Sequence, residues 1–306
     1  MIILVLGGHG FVGKILVSAL NKAQHEVHPI SRRDGVDLTD YHSTEECLAE
    51  IKPDIIINCA AHGGNVHYLE TYAADVIYDN VQMALNLYRA VANVCPGAKV
   101  SNPLANCAYP GDSIIQMEQH WLDGEVHESV YSYGNAKRFI YAISKCYWKQ
   151  CGIKSVNFII PNAFGPGDST DLNKTHALNG MIIRMIKAKR RGDREFEIWG
   201  TGSPIREWAY VNDVVNILIE GIYTTEDLTF PVNLAQNKGY SIKESAELIA
   251  GSVGFKGKLV FNSNYQDGAP GKILDDTRFR QVFPDFKFFD HKKGIDETVK
   301  YYDSVL

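Results

Sequence analysis

The sequence predicts an α/β fold with a doubly wound parallel sheet, and the first twenty residues carry much of that prediction. Residues 2–6 are apolar and rich in β-branched side chains, as expected of a strand that is buried on both faces. Gly7, Gly10 and Gly13 follow, and a helical pattern begins at once over residues 14–20. Farther along, strand-like and helical segments alternate, which is the order found in sheets covered by helices on both sides.

The three glycines form a GxxGxxG pattern between a strand and a helix, which is the context that a dinucleotide-binding fingerprint of the Rossmann type requires. We expect Gly7 to permit the tight turn, Gly10 to let the backbone approach a pyrophosphate, and Gly13 to let the helix pack on the strand. The pyrophosphate would lie at the helix N-terminus, where N–H groups are free. A glycine turn without a ligand is the alternative.

Residues 27–31 are predicted to form the second strand, whose end lies near the adenosine ribose of a dinucleotide in this fold. An acidic residue there binds the ribose 2′-hydroxyl, whereas arginine accommodates a 2′-phosphate. Ser31, Arg32 and Arg33 therefore favour NADP(H), while Asp34 keeps NAD(H) possible. Arginines that are simply exposed would also fit the sequence.

Later strands place small and polar residues at their carboxyl ends. A buried strand at residues 55–58 leads into small residues at 59–64, which let the chain pass close to a cofactor. Helical patterns follow at residues 78–80 and 85–91, and the next strand ends at residues 104–110. Because ligands bind at the carboxyl ends of such strands, this last segment should face the site.

Tyr133 and Lys137 open another helical pattern with the spacing YxxxK, so both side chains lie on one face. An ammonium group beside a phenol stabilises the phenolate and lowers the phenol pKa from about 10. Tyr133 then becomes a usable general acid for a developing alkoxide, and Lys137 can also hold the nicotinamide ribose. YxxxK also occurs on ordinary helices, but its place after a dinucleotide fingerprint favours the catalytic interpretation.

The pattern beyond residue 166 is less regular and predicts a smaller lobe that closes over the substrate. Residues 181–186 form an amphipathic helical pattern, and Ser241 with Glu244 forms a capping box for another helix. The predicted division is a dinucleotide-binding domain at 1–165, joined by a return segment at 207–236, and a C-terminal substrate-binding lobe at 166–306.

Composition limits the classes of function. The chain has 306 residues and a formal net charge of −5, which argues against nucleic acid as the main partner. A basic run at residues 187–194 is the exception, and a solvated helix end or an anionic ligand would explain it. The six cysteines have no CxxC or metal-ligand spacing, so we expect a reducing, cytoplasmic setting and no metal. We expect no membrane span and, because Met1 leads directly into the first strand, no signal peptide.

Further motifs, spread along the chain in order, give the sequence a family resemblance. They are AAHGG at 60–64, CAYP at 107–110, PNAFGP at 161–166, TH at 175–176, WGTGSPIRE at 199–207, VND at 211–213 and DGAPGK at 267–272. With the glycine fingerprint and YxxxK, they make the chain resemble the GDP-L-fucose synthase family of the extended short-chain dehydrogenase/reductases. Members of that family commonly form homodimers through helices near residues 68–90 and 134–150.

The resemblance implies an enzyme that inverts C3 and C5 of a nucleotide-linked 4-keto-6-deoxy sugar, hexose or heptose, and then reduces C4 with NADPH. Protons beside a ketone are acidic, so inversion needs a base on one face of the sugar and an acid on the other. The family uses a cysteine and a histidine, and Cys107 and His176 stand at the matching positions. Tyr133 would protonate the C4 oxygen. Taken alone, Cys107 would be interpreted as a small buried hydrophobe.

The fingerprint and the resemblance together predict three sets of residues. The catalytic residues are Tyr133, Lys137, Cys107 and His176. The cofactor-binding residues are Gly7, His9, Gly10, Phe11, Val12, Gly13, Ser31, Arg32, Arg33, Asp37, Leu38, Ala60, Ala61, His62, Asn80, Lys137 and His176. The substrate-binding residues are Asn106, Asn162, Lys187, Trp199, Arg206 and Lys272. Arg206 suits a diphosphate because its planar fork matches phosphate oxygens, and an ion pair with Glu207 is the alternative.

Two departures from the family pattern leave other functions open. Ala105 replaces the family's catalytic Ser or Thr, so a hydroxyl donor is missing unless Asn106, Cys107 or a water takes its place. Losing one such donor commonly costs about 10²–10³ in rate. The family's Pro-Arg-Lys reads Pro-Gly-Lys at 270–272, which removes one cation. An epimerase that retains its NAD, or a nucleotide-sugar-binding protein without turnover, therefore remains as an alternative.

Overall fold

The alternation of strands and helices that the sequence predicts is present in the computed structural model, which describes residues 1–224, 228–265 and 267–306. Its strands are β1 (Ile2–Leu6), β2 (Glu26–Ile30), β3 (Ile55–Asn58), β4 (Lys99–Ala105), β5 (Ile115–Gln116), β6 (Ser155–Ile160), β7 (Asn162–Phe164), β8 (Glu195–Trp199), β9 (Ile205–Arg206), β10 (Trp208–Tyr210), β11 (Val232–Asn233), β12 (Tyr240–Ser241), β13 (Lys258–Asn262) and β14 (Gly271–Leu274). Its helices are α1 (Phe11–Lys22), α2 (Tyr41–Ile51), α3 (Val66–Thr71), α4 (Ala73–Val94), α5 (Tyr131–Cys151), α6 (Ala177–Arg191), α7 (Val211–Tyr223), α8 (Ile242–Val253), α9 (Thr277–Val282) and α10 (His291–Val305).

The central sheet is parallel, and in the described ranges it has six strands in the spatial order β11-β6-β4-β3-β1-β2. β1 lies between β2 and β3, so the chain continues from β1 to β2 on one side and then to β3 on the other. At such a point a crevice forms at the carboxyl ends of the strands. The strands predicted at residues 2–6 and 55–58 match β1 and β3. The return segment predicted at 207–236 supplies β11, although its residues 225–227 lie outside the described residues.

Helices cover both faces of this sheet. Leu4 and Leu6 of β1 pack in one hydrophobic core with α2, α4 and α5, whereas Ile3 and Val5 pack in another with α1, α7 and α9. All four side chains are buried. Successive side chains of a strand point to opposite faces, so a strand covered on both sides is apolar throughout.

A third hydrophobic core lies among α6, α8 and α10. The predicted capping box of α8 is confirmed, because Ser241 Oγ accepts the Glu244 N–H while the Glu244 carboxylate accepts the Ser241 N–H. β9 pairs with β12 on one side and with β14 on the other. This core lies in the region assigned to the substrate-binding lobe, and the domain boundary at residue 166 stays a prediction.

Two helical features differ from the sequence-based expectation. The separate patterns at residues 78–80 and 85–91 belong to one continuous helix, α4, whose 22 residues contain no glycine or proline to interrupt it. The helices α2, α7, α9 and α10 have no counterpart in the prediction. For α7 the signal is present in the sequence, because the exposed polar residues Asn212, Asn216 and Glu220 recur every four residues between buried apolar ones.

A row of buried asparagines crosses three neighbouring strands of the sheet. Asn58 of β3 donates to Asn102 Oδ1 of β4 at 3.4 Å, and Asn102 Nδ2 donates to Asn157 Oδ1 of β6 at 3.0 Å and to the Tyr88 hydroxyl at 2.7 Å. Because buried amides need hydrogen-bond partners, a shift of one strand would leave several of them unsatisfied. The row therefore fixes the register of β3, β4 and β6.

In the part of the chain that the structure describes, no helix combines the length and apolar character needed to cross a lipid bilayer. The same residues contain no group of three His, Cys, Asp or Glu side chains that could hold a metal ion. All six cysteines are free thiols.

Candidate active site

The glycine turn between β1 and α1 is as tight as the fingerprint predicts. Gly7 has a φ of +70°, a left-handed conformation that favours glycine. A Cβ at Gly7 would lie 2.7 Å from the backbone nitrogen of Ala60, and a Cβ at Gly13 would lie 2.2 Å from the Gly7 carbonyl oxygen. The turn, the helix and the loop after β3 therefore meet at a point where only glycine fits.

The N-terminus of α1 suits the diphosphate of a dinucleotide. Gly10 caps the helix without any side-chain hydrogen bond, and the first turn, which begins with Phe11 and Val12, contains no acidic residue. A Cβ at Gly10 would lie 3.1 Å from the Gly7 carbonyl oxygen and would crowd this cradle. Uncapped N–H groups and the positive end of the helix dipole favour an anion, so these residues fit the cofactor that the fingerprint implies.

The carboxylate of Asp34 is engaged by its own neighbours. It accepts hydrogen bonds from the Ser31 N–H at 2.8 Å and the Ser31 hydroxyl at 3.0 Å, and His9 Nε2 lies 3.0 Å from it. Burial raises the pKa of Asp34, but the hydrogen bonds from Ser31 and His9 outweigh burial, so its pKa lies below the usual value. Asp34 is thus not free for a ribose hydroxyl, which removes the main support for NAD(H).

Arg32 and Arg33 lie exposed next to this turn. The Arg32 guanidinium is 3.7 Å from the Asp79 carboxylate and 4.0 Å from that of Asp37, and its side chain is 67% exposed. Ion pairs this long and this exposed contribute little, so the arginines remain available to a 2′-phosphate. Leu38, in contrast, is buried in the core that contains α2 and α4.

Asn80 of α4 holds the loop that follows β3. Its Oδ1 accepts the His62 N–H at 3.0 Å, and its Nδ2 donates to the His62 carbonyl oxygen at 2.7 Å. His62 Nδ1 lies 2.8 Å from the Asp79 carboxylate. The amide of Asn80 is therefore used to shape the loop, which carries Ala60 and Ala61 past the glycine turn.

α5 brings Tyr133 and Lys137 onto one face, as their spacing predicts. Lys137 Nζ lies 5.2 Å from the centroid of the Tyr133 ring and donates to the Pro103 carbonyl oxygen of β4 at 3.1 Å. A Cβ at Gly63 would lie 3.4 Å from the Tyr133 ring, so the loop after β3 passes directly against the phenol. Together these residues form one wall of the cleft at the carboxyl ends of the strands.

The short 3₁₀ turn after β4 carries Asn106 and Cys107. α5 packs tightly on this turn, since a Cβ at Gly134 would lie 2.6 Å from the Cys107 carbonyl oxygen. Burial raises the pKa of the Cys107 thiol, although the charges of Lys272 and Lys137 oppose the rise. At neutral pH Cys107 is thus a protonated thiol, which can donate a proton.

His176 precedes α6 and is held by a buried carboxylate. Asp168 Oδ2 lies 3.0 Å from His176 Nδ1, and it accepts the His176 N–H at 2.8 Å and a hydrogen bond from Asn179 Nδ2 at 2.9 Å. Burial raises the pKa of Asp168, but contacts with His176 and Asn179 outweigh burial and hold it well below its usual value. A carboxylate at Nδ1 fixes the proton there and leaves Nε2 as the acceptor. The His176 ring lies 5.2 Å from that of Phe11, next to α1.

Arg206 and Lys272 are register partners on the parallel strands β9 and β14, so the two cations lie side by side. Burial lowers the pKa of each. The alternative of an Arg206–Glu207 ion pair is wrong, because the Glu207 carboxylate accepts the N–H groups of Gln236 at 2.6 Å and Leu274 at 2.8 Å. Among residues 1–224, 228–265 and 267–306, no carboxylate lies within 4 Å of either cation, although the charge of Asp267 favours the charged form of Arg206. Adjacent cations without an ion-pair partner favour an anionic ligand.

The other predicted substrate residues lie at the start of β7, on α6 and at the end of β8. Asn162 Nδ2 donates to the Glu207 carbonyl oxygen at 3.2 Å. Lys187 lines a groove of about 400 Å³ that α6 and β8 enclose. Trp199 at the end of β8 is 55% exposed, and its indole stacks on Tyr265 with ring centroids 5.0 Å apart.

Most of the cationic side chains in the basic run at residues 187–194 are paired with groups of the protein itself. Lys189 Nζ donates to the Val253 carbonyl oxygen at 2.7 Å, and Arg190 pairs with Asp303 at 2.8 Å. Arg191 pairs with Asp193, two residues away. These contacts favour the interpretation of a solvated helix end.

Sequence reasoning missed Asp168 and His127. Asp168 lies two residues after the PNAFGP motif, and that place after a strand end was the signal that could have identified it. His127 Nδ1 accepts the Ser129 N–H at 3.3 Å; burial lowers the pKa of His127, and the charges of Lys272 and Arg206 lower it further. No local pattern marks His127, because its neighbours come from distant segments of the chain.

Comparisons with known proteins cover almost the whole chain. Residues 3–225 match the model of the NAD dependent epimerase/dehydratase family. The probable GDP-L-fucose synthase 1 of Oryza sativa subsp. japonica is 29% identical over 301 residues, which cover 98% of this chain and 91% of that protein. The GDP-L-fucose synthase of Sinorhizobium fredii is 30% identical over 281 residues, which cover 90% of this chain and 87% of that protein. The crystal structure of a GDP-L-fucose synthetase from Naegleria fowleri bound to NADP is similar, with a TM-score of 0.87 and 26% identity. The similarity covers 99% of this chain and 92% of that one.

Proposed function

The chain belongs to the NAD dependent epimerase/dehydratase family, and from that membership we propose an NADP(H)-dependent enzyme that acts on a GDP-linked 4-keto-6-deoxy sugar. It epimerises C3 and C5 and reduces the C4 ketone of a hexose or heptose. Relatives named GDP-L-fucose synthase, matched over most of their length, support this choice. The observation that carries the proposal is that α5 places Lys137 Nζ 5.2 Å from the centroid of the Tyr133 ring and packs, at Gly134, against the turn that carries Cys107.

When bound, the nicotinamide cofactor supplies the hydride that reduces C4. In this proposal the N–H groups at the start of α1 bind its diphosphate, and Arg32 and Arg33 bind the 2′-phosphate of the adenosine ribose. Lys137 holds the nicotinamide ribose. The engaged carboxylate of Asp34 and the name of the NADP-bound relative support NADP(H) over NAD(H).

Tyr133 is the proton donor for reduction. Its hydroxyl gives a proton to the C4 oxygen as the hydride arrives, so the ketone becomes an alcohol and Tyr133 becomes a phenolate. Lys137, with its ammonium 5.2 Å from the ring centroid, stabilises that phenolate. Exchange with water restores the hydroxyl.

Cys107 and His176 carry out the inversions. His176 Nε2 removes the proton from a carbon beside the C4 ketone, and the electron pair of the broken C–H bond moves onto the C4 oxygen. The Cys107 thiol returns a proton to the same carbon from the opposite face. The resulting thiolate and imidazolium exchange protons with water, and Asp168 stabilises the imidazolium through the 3.0 Å contact with Nδ1.

Arg206 and Lys272 bind the diphosphate of the nucleotide sugar. A guanidinium offers a planar fork and an ammonium a point charge, and both favour phosphate oxygens. Trp199 and Lys187 contact the nucleoside, and Asn162 borders the sugar. In this arrangement the lobe at residues 166–306 closes over a cofactor that the domain at 1–165 binds.

We propose a homodimer as the assembly. Leu85 of α4 is 43% exposed, and Phe139 and Trp148 of α5 are 49% and 45% exposed. Large apolar side chains exposed on two packed helices favour a protein–protein contact. Six free thiols favour a reducing, cytoplasmic setting.

An incubation in deuterated water with NADPH and GDP-4-keto-6-deoxymannose tests the function, with NADPH absorbance and product mass as readouts. We expect loss of NADPH and two solvent deuterium atoms on carbon in the product. Loss of NADPH without deuterium would restrict the enzyme to C4 reduction. Full retention of NADPH would contradict the proposed reductase, and bound NAD that does not exchange would favour the cofactor-retaining epimerase.

A further inference from the structure

Asn106 is a buried side chain whose amide has no partner. It is 4% exposed, its Nδ2 is enclosed, and neither Nδ2 nor Oδ1 bonds to a residue that the structure describes. Leaving a buried polar group unsatisfied costs about 1–3 kcal/mol. Native proteins rarely carry such a group without a reason, so the amide calls for a ligand or a water as its partner.

The position of Asn106 points to a ligand. It opens the 3₁₀ turn at the carboxyl end of β4, between Ala105, where the family's hydroxyl is missing, and Cys107. The same turn packs against α5 at Gly134, the residue after Tyr133. The unbonded amide of Asn106 therefore lies next to Ala105, where the hydroxyl is missing, and near the proposed proton donors Cys107 and Tyr133.

Asn102 on the same strand provides a contrast. It is 1% exposed, and its amide is bonded to Asn58, Asn157 and the Tyr88 hydroxyl. The fold thus satisfies a buried asparagine four residues earlier on β4. Of these two buried asparagines, Asn106 is the one whose amide lacks a partner in the described residues, although the buried hydroxyl of Ser101 on β4 also has none.

We propose that Asn106 Nδ2 donates a hydrogen bond to the C4 oxygen of the sugar and so replaces the hydroxyl donor that Ala105 lacks. This inference rests on the proposed function. Since no hydrogen bond fixes the carboxamide, it can rotate to present Nδ2 to the substrate. Negative charge develops on the C4 oxygen during hydride transfer and enolate formation, and a donor held in a water-poor site lowers both barriers. Tyr133 still supplies the proton.

The test compares Asn106→Leu and Asn106→Asp with wild type and with Asn102→Leu. Both substitutions at Asn106 should lower kcat for NADPH oxidation about 10²–10³-fold, the usual effect of losing one such donor. The melting temperature of unliganded Asn106→Leu should stay the same or rise, because an unsatisfied amide is removed. Asn102→Leu should lower the melting temperature, because it leaves bonded partners unsatisfied.

Two further measurements separate a direct contact from an indirect effect. Adding Ala105→Ser to Asn106→Leu should restore kcat about tenfold or more, because the serine hydroxyl supplies a donor. In calorimetry, Asn106→Leu should weaken the binding of GDP-mannose about tenfold, which corresponds to one hydrogen bond, and should leave the affinity for GDP unchanged.

The inference is overturned if Asn106→Leu keeps kcat within about threefold of wild type, well short of the loss expected for a donor. It is also overturned if Asn106→Leu and Asn102→Leu lower the melting temperature equally, since Asn106 would then be structural. If wild type does not oxidise NADPH, the proposed reductase fails instead. The comparison of GDP-mannose with GDP would still decide whether Asn106 contacts the sugar.

Discussion

At the scale of single residues, Tyr133 gives the most direct prediction. Tyr133→Phe removes the hydroxyl and keeps the ring that packs against Gly63, so kcat for NADPH oxidation should fall about 10²–10⁴-fold. The affinity for NADPH, measured by fluorescence titration, should change little. Tyr131→Phe, two residues earlier and 48% exposed, is the matched control and should keep full activity. Equal rates for both variants would refute the assignment of Tyr133 as the acid.

Asp168 gives a second prediction, for the epimerase half of the reaction. Asp168→Asn removes the carboxylate that holds His176 Nδ1 at 3.0 Å, so Nε2 is no longer fixed as the base. The rate of deuterium uptake into the product should fall at least about tenfold more than the rate of NADPH oxidation. Asp171→Asn, on the same loop but exposed, is the control. A parallel loss of both readouts would mean that Asp168 only stabilises the fold, which a melting curve would report.

Single residues also mark the limit of what the sequence could predict about the site. Cys107, Tyr133 and His176 stand in motifs with fixed spacing, so their candidacy needed no structure. The pairing of Asp168 with His176 and the unsatisfied amide of Asn106 depend on which segments meet in space. No local pattern contains that information.

At the scale of elements, the contact between α1 and the glycine turn makes a stability prediction. In Gly13→Ala the new methyl would lie 2.2 Å from the Gly7 carbonyl oxygen, so α1 must move away from β1. Such overpacking typically costs about 1–3 kcal/mol, and it also distorts the diphosphate cradle. We expect a lower melting temperature, which NADPH restores less than it does in wild type.

Gly97→Ala is the control for that change, because a Cβ at Gly97 meets no atom within 4 Å. Its melting temperature should equal that of wild type. If Gly13→Ala melted and bound NADPH like Gly97→Ala, the close packing of α1 on the turn would be refuted.

The elements differ in how well local patterns predict them. β1 and β3 are covered on both faces and have the plain apolar runs that buried parallel strands require, so their bounds were predicted correctly. α7 carries a helical period, since its exposed polar residues Asn212, Asn216 and Glu220 recur every four residues, so a local pattern was present and the prediction overlooked it. α4 was divided because polar residues near its middle resemble a boundary, and only packing shows that the helix continues through them.

At the scale of the whole molecule, His291 predicts how stability depends on acid. It begins α10, its ring stacks on Tyr240 with centroids 4.2 Å apart, and neither ring nitrogen has a partner in the described residues. Burial, with a smaller effect of the Lys238 charge that Asp290 opposes, lowers its pKa from 6.5 to about 4. The folded protein keeps His291 neutral while the unfolded chain binds a proton. The contribution of His291 to stability is therefore full above pH 6.5 and falls by up to about 3 kcal/mol as the pH drops to about 4.

His291→Phe keeps the aromatic stack and removes the titrating ring, so its melting temperature should fall less than that of wild type between pH 6.5 and 4. The carboxyl group of Glu207 makes stability depend on pH in the opposite direction. Burial raises its pKa from 4.5 to about 7, so its contribution is full below pH 4.5 and is lost as the pH rises through 7. If the melting temperatures of His291→Phe and wild type depended on pH in the same way, the role of His291 would be contradicted.

The last strand of the sheet has a consequence for how the protein is made. β11 at residues 232–233 and α9 at 277–282 complete a core that β1 and α1 begin, although the family match ends at residue 225. A ribosome adding about 5–20 residues per second needs roughly 6–25 s to proceed from the end of β6 to the end of α9. During that interval the nascent chain exposes the apolar edge of β6 and one face of the sheet. Newly made chains should therefore depend on chaperones until the final quarter of the polypeptide has emerged.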